Sequence, residues 1–183
     1  MTEVKRLELS RRELLVGGVF ALGAAALLPR GAFAAGPPAT FAATSTSWLE
    51  VAKTSPLVYV SPLTKGGKES TCHGEVWFFV DGGDVVLATA TKTWKVRALG
   101  KGLDRARVWV GDFGPYKSAA EKLPSAPSFE AKARVDKDPA VFARLLAAYA
   151  LKYPDEWDKW KPRFESSYAD GSRVVIRYAP ITG

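Results

Sequence analysis

The chain has 183 residues, 47% of them hydrophobic, and a formal net charge of +7 at pH 7. Its single cysteine excludes an intramolecular disulfide, so the fold must be stabilised by packing alone. The Lys and Arg residues are spread along the chain instead of forming a block, and we therefore expect no nucleic-acid partner.

The N-terminus has the three parts of a secretory signal. Four basic residues (Lys5, Arg6, Arg11, Arg12) precede an apolar run from Val16 to Leu28, and Ala32–Ala34 provides a small-residue cleavage site. An uncleaved anchor is the alternative, but a membrane span needs about 20 apolar residues, more than this run offers. We predict a cleaved signal peptide at residues 1–34.

Residues 10–15, Ser-Arg-Arg-Glu-Leu-Leu, resemble a twin-arginine export signal. The resemblance implies that the twin-arginine (Tat) translocase exports the chain already folded, to the periplasm or the extracellular space. Proteins sent this way often load a cofactor in the cytoplasm, so the signal points to a cofactor site in the rest of the chain.

About 149 residues remain after cleavage, which is the size of one domain. The signal contains five basic and three acidic residues, so the net charge falls from +7 to +5. We predict a tail and short helix over residues 35–54, with a capping box at Ser47–Glu50, and the domain itself over residues 55–183.

Strands dominate the first half of the domain. Segments rich in β-branched and aromatic residues predict strands at Leu57–Ser61, Thr71–Val80 and Asp84–Ala90. Asp81-Gly82-Gly83 lies between the last two and favours positive φ, which predicts a tight hairpin. A short helix follows at Thr93–Leu99, with Thr93 as its N-cap.

Alternating apolar residues predict further strands at Arg105–Phe113 and Ser128–Val135, separated by a loop at residues 114–127. Asp138-Pro139 begins a helix that stops at Pro154, and a second amphipathic segment runs to about Tyr168 with an interruption at Pro162. Ser172–Tyr178 is the last predicted strand.

These elements make six or seven strands with short connections, and two or three helices outside them. Short connections favour antiparallel pairing, and no βαβ alternation is present to build a parallel sheet. A sheet of this size closes best as a small barrel.

The segment with the most chemistry is the junction of the hairpin and the first domain helix. A phosphate beside Thr93 would meet the N–H groups of a helix start, hydroxyls, and the ammonium of Lys92 or Lys95. The alternative from pattern alone is a strand-to-helix turn with solvated lysines.

Residues 55–150, and above all residues 75–110, resemble the flavin-binding split-barrel superfamily, which includes pyridoxamine 5′-phosphate oxidases and deazaflavin-dependent reductases. The hairpin, the Lys95-Val96-Arg97 helix start and the strand beginning at Asp104-Arg105 are similar. The resemblance implies an antiparallel split β-barrel that binds FMN or a deazaflavin, as a homodimer with the cofactor at the subunit interface.

Residue by residue, the resemblance implies that Thr89 and Lys95 bind the cofactor phosphate with help from Lys92 and Thr93. The preceding strand, Val76, Trp77 and Phe78, would line the flavin ring. The interface would use exposed aromatics among a set of four tryptophans: Trp77, Trp109, Trp157 and Trp160.

The chain also departs from pyridoxamine phosphate oxidases. Trp94 stands where those enzymes usually have Arg, and their C-terminal substrate-binding segment has no counterpart, so vitamin B6 oxidation is not expected. FMN and a deazaflavin stay open as alternatives; Trp94 or Arg97 contacts a longer cofactor tail in one interpretation and is an ordinary helix residue in the other. A flavin carries the hydride chemistry itself, so no catalytic residue is assigned.

Cys72-His73 invites a metal or nucleophile interpretation. The chain has one His, and neighbouring side chains on a strand point to opposite faces, so we expect no metal site and no Cys-His dyad. His73 as a haem ligand stays as an alternative, because some split barrels bind haem.

Three functional hypotheses follow. The first is an exported flavin- or deazaflavin-dependent oxidoreductase acting on a small organic substrate. The second is a non-catalytic flavin- or haem-binding protein of the cell envelope, and the third is a barrel that has lost its cofactor and serves as an interaction module.

Overall fold

The structure, a computed structural model, describes residues 45–181. Within this range the helices are α1 (Ser45–Thr54), α2 (Trp94–Gly100), α3 (Tyr116–Ala119), α4 (Pro139–Lys152) and α5 (Pro154–Ala169), with a 3-10 turn at Leu123–Ser125. The strands are β1 (Val58–Pro62), β2 (Gly74–Val76), β3 (Phe79–Asp81), β4 (Asp84–Ala90), β5 (Arg105–Val110), β6 (Ser128–Asp136) and β7 (Arg173–Pro180). The predicted signal peptide at residues 1–34 and the first part of the predicted tail lie outside the described residues.

The seven strands form one antiparallel sheet in the order β2-β1-β5-β6-β7-β4-β3. β2 and β3 are therefore the two edges of the sheet, although only Trp77 and Phe78 separate them in the chain. The Cα atoms of Val76 and Phe79 are three steps apart and cannot be further than about 11 Å from each other. The sheet must curl until its edges nearly meet, and the predicted split-barrel fold class is confirmed.

Each strand places alternate residues on the two faces of the curled sheet. The inner face buries Ala106, Val108 and Val110 of β5 against Val58, Leu87 and Ile176. α1 covers this face with Trp48, whose ring is tilted by 31° against that of Phe129 at 4.2 Å between centroids. On the outer face, α4 and α5 pack Leu145, Tyr149, Trp157 and Phe164 over Val86 and Val175. Burial of these apolar side chains is the main stabilising term.

The predicted hairpin is present as expected. Asp81 pairs with Asp84, and the two residues between them are Gly82 (φ 64°) and Gly83 (φ 90°). The type I′ turn matches the right-handed twist of the two strands and requires positive φ at both of its central residues. Glycine adopts positive φ without a steric penalty, so it suits both positions.

The strand predicted at Thr71–Val80 is in fact two short strands with a break at Trp77 and Phe78. β2 pairs with β1 and β3 pairs with β4, so the halves belong to opposite edges of the sheet. Tyrosine hydroxyls of α4 and its C-cap satisfy the backbone at the break: Tyr149 donates to the Trp77 carbonyl (2.6 Å), and the Phe78 N–H donates to Tyr153 (2.9 Å). Residues 71–73 lie outside both strands.

Other element predictions need smaller corrections. α1 begins at Ser45 instead of Ser47, and the Glu50 carboxylate pairs with Lys53 (2.7 Å), so the capping box does not mark the helix start. α5 continues through Pro162, which normally ends a helix because it lacks an N–H. Pro162 is exposed, and the buried Trp157 and Phe164 on either side of it hold both halves of α5 on the sheet.

None of the helices found between residues 45 and 181 has the length and apolarity to cross a membrane.

Candidate functional site

A cavity of about 560 Å³ opens where the two halves of the sheet face each other across the split. β3 pairs only with Asp84–Val86 of β4, so the β3-facing side of residues 87–90 has no strand neighbour within the described sheet. β2, at the opposite edge of the curled sheet, faces these residues across the split. α5 covers the outer side. Small-molecule sites typically enclose roughly 300–1,000 Å³, so the cavity has room for a ligand.

Four of the predicted cofactor-binding residues line this cavity: Val76, Trp77, Thr89 and Lys95. Val76 and Trp77 come from the β2 edge, Thr89 from the end of β4, and Lys95 from the first turn of α2. The split topology brings them together, because it places the β2 edge opposite the free edge of β4.

The other predicted residues lie elsewhere. Phe78 is fully buried in the inner core and does not line the cavity. Lys92 is exposed on the turn before α2, and Arg97 lines a separate cavity of about 360 Å³ together with Trp94 and Cys72. Thr93 does not line the main cavity, but its hydroxyl lies 3.3 Å from that of Thr89.

Lys95 is the most unusual side chain of the site. Its residue is 8% exposed, and its Nζ lies 4.2 Å from the centroid of the Trp94 ring. Burial lowers the pKa of Lys95 from 10.5 to about 8, and the nearby Glu75 carboxylate opposes that shift. Glu75 also lines the cavity, but within residues 45–181 no carboxylate forms an ion pair with the Lys95 ammonium.

Thr89 and Thr93 add two hydroxyls beside this ammonium. Thr93 occupies the N-cap position of α2 as predicted, but its side chain makes no capping hydrogen bond. It bonds to Thr89 instead. A hydroxyl donates one hydrogen bond and accepts others, so while the two bond to each other one O–H of the pair is free to donate to an anion.

A second part of the cavity wall was not predicted. α5 contributes Trp160 and Phe164, and the start of β7 contributes Arg173. The helical spacing of Trp157, Trp160 and Phe164 marks an apolar face, but the sequence does not show that this face closes a cavity formed by strands 70 or more residues earlier.

The cavity tryptophans are fixed in place by aromatic packing. Trp77 stacks on Tyr153 with 4.2 Å between centroids and 6° between planes, and Trp160 lies edge-on to Trp77 at 6.3 Å. Trp109 and Trp157 are 6% and 7% exposed and packed inside the chain, so these two are not the exposed interface aromatics that were expected.

Cys72 and His73 point to different surroundings. Cys72 is exposed and lines the smaller cavity beside Trp94. The imidazole of His73 stacks on Tyr116 with 4.6 Å between centroids, and it lines neither of the two cavities described above. Among residues 45–181, no group of three or more His, Cys, Asp or Glu side chains is arranged to hold a metal ion.

No protein-family model matches the sequence, and no curated protein matches it. Similar solved structures include a putative pyridoxamine 5′-phosphate oxidase from Listeria innocua (12% identity, 75% of this chain and 94% of that chain, TM-score 0.48). Others are HutZ, the heme storage protein from Vibrio cholerae (12%, 74% and 88%, TM-score 0.48), and an F420 reductase (19%, 74% and 94%, TM-score 0.41). Similarity at this level of identity concerns the fold alone.

Proposed function

We propose that this protein is a flavin- or deazaflavin-dependent oxidoreductase of the pyridoxamine 5′-phosphate oxidase-like class. The cofactor phosphate would be bound by Lys95, Thr89 and Thr93, and its ring would lie along Val76 and Trp77. The observation that carries the proposal is the Lys95 ammonium, which is buried at the cavity wall and forms no ion pair with a described carboxylate, including Glu75 of the same wall.

The donor set fits a phosphate. An unpaired buried ammonium costs free energy, and an anion beside it removes much of that cost. Because the pKa of Lys95 is about 8, most of the side chain is charged at pH 7. The Thr89 and Thr93 hydroxyls lie 3.3 Å apart and one donates to the other, so a bound phosphate would meet one strong donor, the ammonium, and one weaker hydroxyl donor.

The remaining wall fits a planar ring. Trp77 and Trp160 present aromatic surface to the cavity, and their contacts with Tyr153 and with each other fix that surface. A bound flavin or deazaflavin supplies the hydride chemistry. The chain orients the ring, holds the phosphate and keeps water away from one side of the cavity.

The alternative is a protein that binds a flavin or haem without catalysing a reaction, and it differs from the proposed oxidoreductase in having no substrate turnover. In its haem version, His73 would be the iron ligand, but its imidazole is stacked on Tyr116 away from the main cavity. No contact in the described residues favours that version. A bound cofactor that no nicotinamide or deazaflavin donor reduces would favour simple flavin binding over catalysis.

Export and dimer formation complete the proposal. The twin-arginine signal would carry the folded, cofactor-loaded domain out of the cytoplasm, where the cofactor is made. A homodimer would cover the open side of the split. Both statements rest on the sequence pattern and the family resemblance.

An absorbance spectrum of protein purified from the cytoplasm tests the proposal. We expect flavin or deazaflavin absorbance in the wild-type protein and at least tenfold less bound cofactor in Thr89→Ala/Lys95→Ala, because one charge-assisted and one neutral hydrogen bond are lost. Lys92→Ala is the matched control, since Lys92 is an exposed lysine three residues from Lys95. A folded, colourless wild-type protein that takes up neither cofactor would refute the proposal.

A further inference from the structure

Arg173 is a second cation of the main cavity, and it has no role in the proposed phosphate site. It begins β7 opposite Ala90 and lines the cavity with Phe164 and Trp160. Its guanidinium lies 4.2 Å from the centroid of the Phe164 ring, and its Nε donates to the Ser167 hydroxyl (2.8 Å). These two contacts fix the plane of the guanidinium.

The charge of Arg173 is not balanced by the chain that the structure describes. Arg177, four residues later on the same face of β7, is surrounded by the carboxylates of Asp81, Asp84 and Asp136 at 2.6–3.1 Å. Arg173 forms no ion pair with any carboxylate of residues 45–181, although it is half-buried and burial lowers its pKa. Arg177 has three carboxylate partners, whereas the half-buried Arg173 has none among the described residues, and this contrast suggests that the counter-ion of Arg173 is a ligand.

The geometry of the free donors narrows the chemistry of that ligand. Ser167 occupies Nε, so the two terminal nitrogens form the remaining fork. A planar fork of two N–H groups matches a carboxylate with two parallel hydrogen bonds. The neighbouring surface is aromatic, from Trp160 and Phe164, and planar rings pack well on such surfaces.

We propose that the α5 side of the cavity binds an aromatic carboxylic acid, its carboxylate on the terminal nitrogens of Arg173 and its ring against Trp160 and Phe164. As a statement about the substrate of the enzyme, this inference rests on the proposed function. As a statement about a binding site, it rests on Arg173 and its neighbours alone.

The experiment compares naphthalene-2-carboxylate with its uncharged analogue naphthalene-2-carboxamide, by titration calorimetry on the purified protein. The variants are Arg173→Met, Arg173→Lys and Arg163→Met. Arg163 is the matched control because it is an exposed arginine of α5 that does not line the cavity. Like Arg173 it lies beside an aromatic ring, with its Cζ 5.2 Å from the centroid of Trp160. Bound cofactor is measured by absorbance on every sample.

We expect the wild-type protein and Arg163→Met to bind the carboxylate at least tenfold more tightly than the amide. Arg173→Met should lose that preference, and Arg173→Lys should keep part of it, since lysine keeps the charge without the fork. If Arg173→Met does not fold, a Lys variant as selective as the wild-type protein contradicts the fork geometry.

Three results would overturn the inference: equal binding of the two probes, a preference unchanged in Arg173→Met, or loss of cofactor in Arg173→Met as large as in Thr89→Ala/Lys95→Ala, which would assign Arg173 to the cofactor. The two proposals fail separately. A colourless protein with Arg173-dependent carboxylate binding refutes only the proposed function, and a cofactor-loaded protein without it refutes only this inference.

Discussion

Two lysines of this protein have their pKa lowered to about 8 by burial, and they differ in what surrounds them. Lys152 lies with its Nζ 3.3 Å from the centroid of the Phe78 ring and 3.4 Å from the Ala52 carbonyl oxygen, between α4 and α1. Lys95 faces a cavity that also contains hydroxyls. Burial alone therefore does not identify a lysine that binds a ligand. The hydroxyl donors beside Lys95 distinguish it from Lys152.

The pKa of Lys95 predicts how cofactor affinity depends on pH. Only the protonated ammonium attracts the phosphate, and at pH 9 about a tenth of a group with a pKa of about 8 is protonated. The phosphate itself does not change charge above pH 7, since its second pKa is about 6. The dissociation constant for FMN should thus rise about tenfold from pH 7 to pH 9.

Equilibrium titration of apoprotein with FMN, followed by flavin fluorescence, measures this dependence. Lys95→Arg should bind FMN with little change over the same pH range, because guanidinium stays protonated. Lys92→Ala should follow the wild-type curve. A wild-type affinity that is constant from pH 7 to pH 9 would mean that Lys95 does not contact the phosphate.

At the scale of elements, the break between β2 and β3 controls the shape of the site. Trp77 leaves the sheet at this point and stacks on Tyr153, which places its ring in the cavity wall. At the break the Trp77 carbonyl and the Phe78 N–H have no strand partner, and a buried N–H without a hydrogen bond costs free energy. Tyr149 and Tyr153 supply the missing partners, so the end of α4 holds the two sheet edges in place.

Tyr153→Phe tests this arrangement. The change removes the acceptor of the Phe78 N–H and leaves it buried, so we expect the free energy of unfolding to fall by about 1–3 kcal/mol. Tyr168→Phe is the matched control, since Tyr168 stacks on Phe142 and its hydroxyl makes no hydrogen bond within residues 45–181.

Urea denaturation measures the free energy of unfolding of both variants. If this free energy falls with urea concentration at the same slope in both, their unfolded states are comparable. Equal midpoints for Tyr153→Phe and Tyr168→Phe would show that water or a backbone shift satisfies the break without the tyrosine.

Sequence patterns of a few residues predicted the elements whose conformation depends on neighbouring residues. The Gly82-Gly83 hairpin, the Asp138 N-cap and the phase of β5 are all read from residues within a few positions of each other. The strand break was not predictable in this way, because all five residues around it, Val-Trp-Phe-Phe-Val at 76–80, favour strands. The tyrosines that stabilise the break lie 72 and 75 residues further along the chain.

The same limit applies to the site. Thr89, Thr93 and Lys95 lie within seven consecutive residues, and the sequence placed a phosphate site there. Trp160, Phe164 and Arg173 reach the cavity only through the packing of α5 on the sheet. The resemblance named four residues that line the cavity, and the three on α5 and β7 became visible only in the tertiary structure.

At the scale of the whole molecule, one buried arginine connects much of the outer face. Arg177 of β7 contacts Asp136 of β6, Asp84 of β4 and Asp81 of the hairpin, and Asp81 also pairs with Arg144 of α4 (2.8 Å). Four strands (β3, β4, β6 and β7) and a helix therefore meet in one network of charge-assisted hydrogen bonds. Such a network is costly to break, because each lost partner leaves buried charges unpaired.

Arg177→Met should lower the free energy of unfolding at pH 7 by about 3–5 kcal/mol, the usual effect of removing one partner of a buried ion pair. Arg134→Met is the matched control. Arg134 also contacts Asp136 (3.5 Å), but its side chain is 62% exposed, and exposed pairs contribute about 0–1 kcal/mol. Similar losses in the two variants would show that the buried network is no stronger than a surface pair.

The same network predicts a specific acid sensitivity. Hydrogen bonds from Arg144 and Arg177 lower the pKa of Asp81 from 3.8 to about 2 in the folded protein. Its contribution to stability is therefore complete above the unfolded pKa and is lost as pH falls from about 4 to about 2. Denaturation of the wild-type protein and Arg177→Met at successive pH values should give a stability difference that shrinks across this window. A difference as large at pH 2.5 as at pH 7 would contradict a role for Asp81 ionisation and would assign the effect of the variant to lost packing.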